Sequence, residues 1–466
     1  MPRSQIPVTS SPSATEIATA VVKGRRTAVE IAEAAIARIE TLNPALNAIV
    51  TFDPDRMRDE ARTVDRRVAA GERLPLAGVP VAVKDNIWVA GRRVTQGSRL
   101  FADFIAPEDA VAVKRLREAG AVIAGMANTS EFAAKGVTTN LLFGPTRHPM
   151  DPRLTPGGSS GGPAVAVAAG LVPLALGTDA GGSSRRPPAH VGIIGFKPSF
   201  GAIPYGPGFA EPFVGLSVMA PMARTVADAA LMFEVLAGRP PRRPPKPLSD
   251  LRIAFSPRLG LEVPVDDDVA EAIGQAVGHL DRAGARIERR DPLWPADASE
   301  TALMALQHAG LAAIHGETWR RDPALFDPDI GRQIERGLSL SGVEVAHALQ
   351  LSSAIERSAA AFFSEVDLLI GPTTPCVSWP LTQLGPERIG GIEVEPRAHA
   401  VFTPLFNHAK VPALSLPIGN GRDDLPVGLQ IIGARGSDLD VLAFAAFAEH
   451  AMDGEDDALV DERLGR

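Results

Sequence analysis

The sequence predicts an α/β fold: a large mixed, mostly parallel twisted sheet covered by helices on both faces. Three observations point there. Short apolar runs rich in Val, Ile and Leu alternate with segments of helical periodicity, which is the pattern of βαβ connections. The runs are apolar along their whole length, as strands buried inside a sheet are. Many of the 44 glycines and 41 prolines fall in 144–215, a loop-rich stretch of the kind that carries chemistry on a rigid sheet.

Residues 1–14 are rich in Pro and Ser and are expected to be a disordered N-terminus; residues 15–466 are expected to form a single domain without internal repeats. Segments 15–23 and 27–40 read as helices. Thr27 and Glu30 form a capping-box pattern, and Ile31, Ala34, Ala35 and Ile39 line one face. A third helix covers 55–70 and is stopped by Gly71. The core, 75–235, opens with GVPVAVKDN (78–86), a β-branched run ending in a lysine. A helix over 109–119 follows, and AVIAG (121–125), LVPLALGTD (171–179) and GIIGF (192–196) read as strands. The proline-rich stretch 238–250 is an extended, exposed spacer. After the strand LRIAF (251–255) comes a helical excursion over 256–363. DLLIGPT (367–373) and VGLQIIG (427–433) then return the chain to the sheet within 364–450.

Composition excludes several functions. A net charge of −8, with aromatics at 5% and no basic cluster among them, argues against nucleic-acid binding. The single cysteine, Cys376, cannot form an intramolecular disulfide or a cysteine-rich metal site, and suits a reducing cytoplasm. The first twenty residues hold no apolar core of a signal peptide, and no later run reaches membrane-spanning length. The expectation is a cytoplasmic protein with no membrane partner, no metal and no cofactor.

Three pieces could carry chemistry. Lys84 ends a strand; alone, such a lysine is a solvated surface residue, and it becomes a base only if burial lowers its pKa. TPGGSSGGPAVAVAAG (155–170) reads as a helix start, with a serine N-cap, Pro163 in the first turn and Gly170 as the stop. A cap does not require four glycines around two serines, whereas a backbone that must approach something closely does. A phosphate loop is disfavoured, since neither GxxxxGK[ST] nor GxGxxG is matched. In GTDAGGSSRRPPAH (177–190) a glycine-rich turn precedes Ser183. Successive N–H groups in such a turn can converge on an oxyanion beside the nucleophile that generates it. Alone, it could equally be a polar turn, or an anion site in a non-catalytic protein. His190 and His148 lie near these serines, but no local triad signature frames them, and both are expected to be structural.

Taken together, GVPVAVKDNI, TPGGSSGGPAVAVAAGLVPLALGTDAGGSSRRPPA, VGIIGFKPSFG, MAPMARTVADAALM (219–232), FNHAKVPALSLPIG and LPVGLQIIG (425–433) resemble the amidase signature family over most of 15–450. The resemblance implies that fold and an amidohydrolase that cleaves the C–N bond of a small carboxamide through an acyl-serine intermediate. It implies a Ser-cisSer-Lys triad, with Ser183 as nucleophile, Ser159 as relay on a cis peptide after Gly158, and Lys84 as base. Ala180, Gly181, Gly182 and Ser183 match the oxyanion hole, and Ser160 a supporting serine. The chain departs from the common pattern at Pro163, where a small residue is usual, and at Ser184, where Ile or Val is usual. Both Arg185 and Arg186 then fill positions of which the family's subgroups use one. Arg186 is a candidate for a substrate carboxylate, a structural salt bridge or carbonyl clamp being the alternative. By position in the family fold, the acyl pocket comes from 126–145, 203–216 and 375–406. Its candidates are Asn128, Thr129, Tyr205 and Phe209, with Phe132, Phe143, Phe213 and Trp379 as further aromatics in or behind it. A homodimer is the family-level expectation. The related alternative is the ammonia-releasing A chain of glutamyl-tRNA amidotransferase, although RAHAVFTPLFNHAKVPA (397–413) carries only part of its pattern.

Overall fold

A computed structural model of the chain describes residues 11–238 and 244–453. Most of the expected disordered N-terminus and the centre of the proline-rich spacer lie outside the described residues. The first helix, Ala14–Val22, begins inside the segment expected to be disordered. Ser13 caps it in a reciprocal box with Glu16, and the Asp228 carboxylate accepts the N–H groups of Ala14 and Thr15.

The strands are β1 (Ile49–Phe52), β2 (Pro80–Lys84), β3 (Val122–Ala127), β4 (Leu174–Asp179), β5 (Ile194–Lys197), β6 (Val218–Ala223), β7 (Ile253–Phe255), β8 (Ile287–Arg289), β9 (Leu368–Pro372), β10 (Arg388–Ile389), β11 (Ile392–Glu393), β12 (Ala413–Asn420) and β13 (Pro426–Gly433). Eleven of them form one sheet, in the order β1-β3-β2-β4-β6-β5-β12-β13-β9-β7-β8; β10 and β11 form a separate hairpin. Every residue of β2, β3, β4, β5, β6, β9 and β13 is buried, so both faces of the central sheet are covered.

The mixed α/β architecture is as predicted, but parallel pairs do not predominate. Among the described residues four neighbouring pairs in the large sheet are parallel and six are antiparallel. The reason lies in how the crossovers are filled. After β4 the chain passes through the helix Arg186–Val191 and enters β5 in the same direction as β4, as a βαβ unit should. β6 then returns through a long loop and inserts between them, antiparallel to both. The segment 256–363 is likewise not purely helical, because β8 pairs with β7. Three residues are too few to register as a periodicity.

β2 and β4 are adjacent and parallel, so their C-terminal ends open at the same edge of the sheet. Lys84 ends one, and Thr178 and Asp179 end the other. In open α/β sheets this edge is where ligands bind.

Candidate active site

Lys84 is wholly buried, and its Nζ lies 2.8 Å from Ser159 Oγ and 3.0 Å from Thr178 Oγ1. Burial pushes the lysine down to about 7, opposed by the Asp179 charge and assisted by Arg186. The solvated-surface alternative is therefore excluded.

Ser159 follows a cis peptide bond from Gly158. Its hydroxyl lies 3.0 Å from Ser183 Oγ, and its N–H donates to the same oxygen at 3.1 Å. Lys84, Ser159 and Ser183 thus form one continuous hydrogen-bonded chain. Ser183 retains 8% exposure, while the other two have none.

The glycines around Ser159 serve close approach, and what they approach is the protein's own backbone. A Cβ on Gly158 would lie 2.5 Å from the Val137 carbonyl carbon, and one on Gly162 would lie 2.3 Å from the Asn128 oxygen. The helix Gly161–Ala168 follows as expected, with Pro163 in its first turn. Ser160 occupies the N-cap position without capping through its side chain; its Oγ bonds the Thr178 carbonyl at 3.2 Å instead. That bond ties the Ser159 loop to the end of β4.

The turn carrying Ser183 is organised by Asp179. Its carboxylate accepts the Gly182 N–H at 2.7 Å and the Ser184 N–H at 3.1 Å. Burial would raise this carboxyl, but the adjoining Arg185 guanidinium outweighs burial and holds it well below the usual carboxylate range. Arg185, also wholly buried, grips both Asp179 oxygens at 3.0 Å. Its remaining donors go to Thr403 O, Gln430 Oε1 and Asn407 Oδ1. Arg186 bonds the Gly181 carbonyl, Thr403 Oγ1 at 2.9 Å and the Gly158 carbonyl at 3.4 Å. These bonds hold carbonyls of both glycine loops and so join the two loops. Gly182 has a φ of +111°, and a Cβ there would fall 2.0 Å from Thr403 Oγ1. Gly182→Ala is therefore expected to cost about 1–3 kcal/mol by overpacking. Chemical denaturation should show the loss, together with a drop in activity larger than stability alone explains.

The family model of amidases matches residues 30–442. The chain belongs to the amidase family. It is 36% identical over 452 residues to an acylamidase of Rhodococcus erythropolis, covering 93% of this chain and 94% of that one. It is also 36% identical over 467 residues to the A chain of the glutamyl-tRNA(Gln) amidotransferase of Symbiobacterium thermophilum, at 91% and 93% coverage. A crystal structure of a bacterial aryl acylamidase of the amidase signature family superposes with a TM-score of 0.86 at 29% identity, covering 96% and 99% of the two chains. The corresponding glutamyl-tRNA(Gln) amidotransferase chain of Thermotoga maritima superposes with a TM-score of 0.68 at 28% identity, covering 89% and 90%. The chain is an amide-hydrolysing enzyme of this family.

The pocket residues expected from sequence lie apart from the Lys84–Ser159–Ser183 hydrogen-bonded chain. In this amidase Asn128 is saturated by the protein: it donates to Gly144 O and Thr146 Oγ1 and accepts from Asn140 and the Thr129 N–H. Thr129 is buried and bonds the Ser130 carbonyl. Tyr205 is 42% exposed. Phe209 packs among Trp88, Phe101 and Phe104, and Phe132 stacks on His315 at 4.0 Å. Phe143 lies beneath Arg93, and Trp379 packs between His190 and His399. None of these lines the small cleft beside Ala180 and Gly181. Phe213 does, with Leu216, Leu303, Met304 and Gln307. The last three lie on the helix Glu300–Arg321, which sequence reasoning did not bring to this cleft because its apolar residues read only as helix packing. The His148 ring bonds the His190 backbone carbonyl at 2.8 Å, and burial keeps both imidazoles neutral.

Proposed function

We propose that this amidase hydrolyses a small-molecule carboxamide, with Ser183 as nucleophile, Ser159 as relay and Lys84 as base. The unbroken chain from Lys84 Nζ through Ser159 Oγ to Ser183 Oγ carries the proposal. Lys84, neutral, offers its lone pair to the Ser159 hydroxyl while one N–H stays on Thr178. Ser159 takes the proton of Ser183 as that oxygen attacks the amide carbon. The carbonyl oxygen becomes an oxyanion received by the N–H groups of Ala180, Gly181 and Ser183. Gly182 belongs to the turn, but its N–H is already given to Asp179, so its part is to shape the hole. The relay returns the proton to the leaving amine, and water cleaves the acyl-serine ester.

Hydrolysis of a free amide is favoured over the amidotransferase role by the closer superposition on the aryl acylamidase. The reading includes a homodimer in a reducing cytoplasm, for which family resemblance and the single, buried cysteine are the support. A serine-directed fluorophosphonate should label Ser183 in the purified chain, and the chain alone should release amine from simple amides. Turnover that appears only with a tRNA-binding partner would favour the amidotransferase role.

The pH profile is a further expected outcome. The base must be unprotonated, and Lys84 is lowered to about 7. The acid limb of kcat/KM should therefore bend near pH 7 and fall by about tenfold per unit below it. A profile flat from pH 5 to 9 would remove Lys84 from the role.

A further inference from the structure

We propose that Thr138 is a positioning residue of the reaction: its hydroxyl holds the backbone on both sides of Ser159 and keeps that serine within reach of Lys84 and Ser183 together. The inference rests on the reading of Ser159 as relay and adds to it the group that fixes the relay in place.

Ser159 has to meet two partners at once. Its Oγ lies 2.8 Å from Lys84 Nζ and 3.0 Å from Ser183 Oγ. A shift of about 1 Å would break one of these contacts, and a misplacement of that size costs about 10²-fold in rate. Gly157 and Gly158 before Ser159, and Gly161 and Gly162 after it, leave the loop little stiffness of its own. The order has to come from outside the loop.

Thr138 supplies it. The residue is buried, and its Oγ1 lies 2.9 Å from the Gly157 carbonyl oxygen and 3.2 Å from the Ser159 carbonyl oxygen. The same oxygen accepts the Gly161 N–H at 2.8 Å. One hydroxyl thus spans the loop from Gly157 to Gly161, with Ser159 at its middle. A Cβ on Gly161 would lie 2.4 Å from Thr138 Oγ1, so only glycine admits the hydroxyl this closely. Together with the approaches of Val137 to Gly158 and of Asn128 to Gly162, this lays the segment 128–138 directly along the Ser159 loop. The segment is itself anchored. The Thr138 carbonyl accepts the Thr146 N–H at 2.9 Å, and Asn140 Nδ2 donates to Asn128 Oδ1 and Thr129 O, each at 2.8 Å. The Gly161 N–H is one of the donors that a helix start leaves without an intrahelical partner. Thr138 takes it, while the Ser160 hydroxyl at the N-cap turns to the Thr178 carbonyl.

The test reads the second-order rate at which a fluorophosphonate labels Ser183, a measure of how well the relay activates that oxygen. Thr138→Val and Thr138→Ala remove the hydroxyl while filling or emptying its space, and each should slow labelling by about 10²-fold. Thr138→Ser keeps the hydroxyl and should stay within about threefold of the unmodified enzyme. Ser159→Ala should be slow, and adding Thr138→Val to it should change the rate by less than about twofold, because the hydroxyl acts only through Ser159. All rates are taken below the Tm of each variant, so loss of fold is read separately. A lowered Tm with an undiminished rate in Thr138→Val and Thr138→Ala would make Thr138 a packing residue only and overturns the inference. Labelling of Thr138→Ser far slower than the unmodified enzyme at the same Tm overturns it even where the other variants do not fold. An equal further loss in the Ser159→Ala background overturns it too. Ser159→Ala labelled as fast as the unmodified enzyme sinks the relay reading itself.

Discussion

Ser183→Ala is expected to lower kcat by roughly 10⁴–10⁶-fold, the scale seen when a serine nucleophile acting as part of a unit is removed. The substitution deletes one oxygen, partly open to solvent, and leaves the backbone turn and the Asp179 bonds to Gly182 and Ser184 in place. Stability should therefore change little, and KM should stay near its original value. Fluorophosphonate labelling should vanish. Ser159→Ala breaks the path at its middle, since Lys84 Nζ bonds Ser159 and no bond joins it to Ser183. A base that cannot reach the nucleophile is of little use, so the two variants should be comparably slow. Their double variant should be scarcely slower than either. Additive losses would mean that the serines act separately and that the relay is misassigned. Full activity in Ser183→Ala would remove Ser183 from the role of nucleophile.

What could be read in the sequence divides along physical lines. Strands apolar throughout, such as β4, and caps such as Thr27 with Glu30 are local properties, so their positions were legible to within a few residues. β6 is also apolar, but its insertion between β4 and β5 depends on where a long loop returns, which no local pattern encodes. The juxtaposition of Lys84, Ser159 and Ser183 was legible because the family resemblance supplied it; composition and spacing left Lys84 as a surface lysine. The arginine pair was not legible. The partners of Arg185 include Thr403, Asn407 and Gln430, all more than 200 residues away in sequence. Asn128 shows what a strand-end position alone does not reveal: its side-chain amide is buried and bonded to Gly144, Thr146 and Asn140. Arg186 likewise bonds the carbonyls of Gly181 and Gly158 and the Thr403 hydroxyl, contacts that no local pattern encodes.

Arg185→Met is expected to be the most destabilising single change, at about 3–5 kcal/mol, because it leaves the Asp179 carboxylate buried without its counter-charge. Both groups have zero exposure, so solvent cannot take over the lost interaction. Chemical denaturation should register the change as a lower midpoint at constant slope. A second variant separates stability from catalysis. Replacing Asp179 as well, as Arg185→Met with Asp179→Leu, removes both charges and should recover part of the lost stability, since an apolar pair can substitute for a buried ion pair. Activity should not recover with it. The carboxylate also fixes the Gly182 and Ser184 N–H groups on either side of Ser183, and leucine offers them no acceptor. A turn free to rotate no longer holds its remaining N–H groups on the oxyanion, and one such donor is typically worth about 3 kcal/mol of transition-state stabilisation. If the double variant regained both stability and kcat, the ion pair would be a packing element only. If it regained stability while kcat stayed low and KM little changed, Asp179 would be the positioning residue of the oxyanion turn, with Arg185 as the clamp that keeps it charged inside the protein.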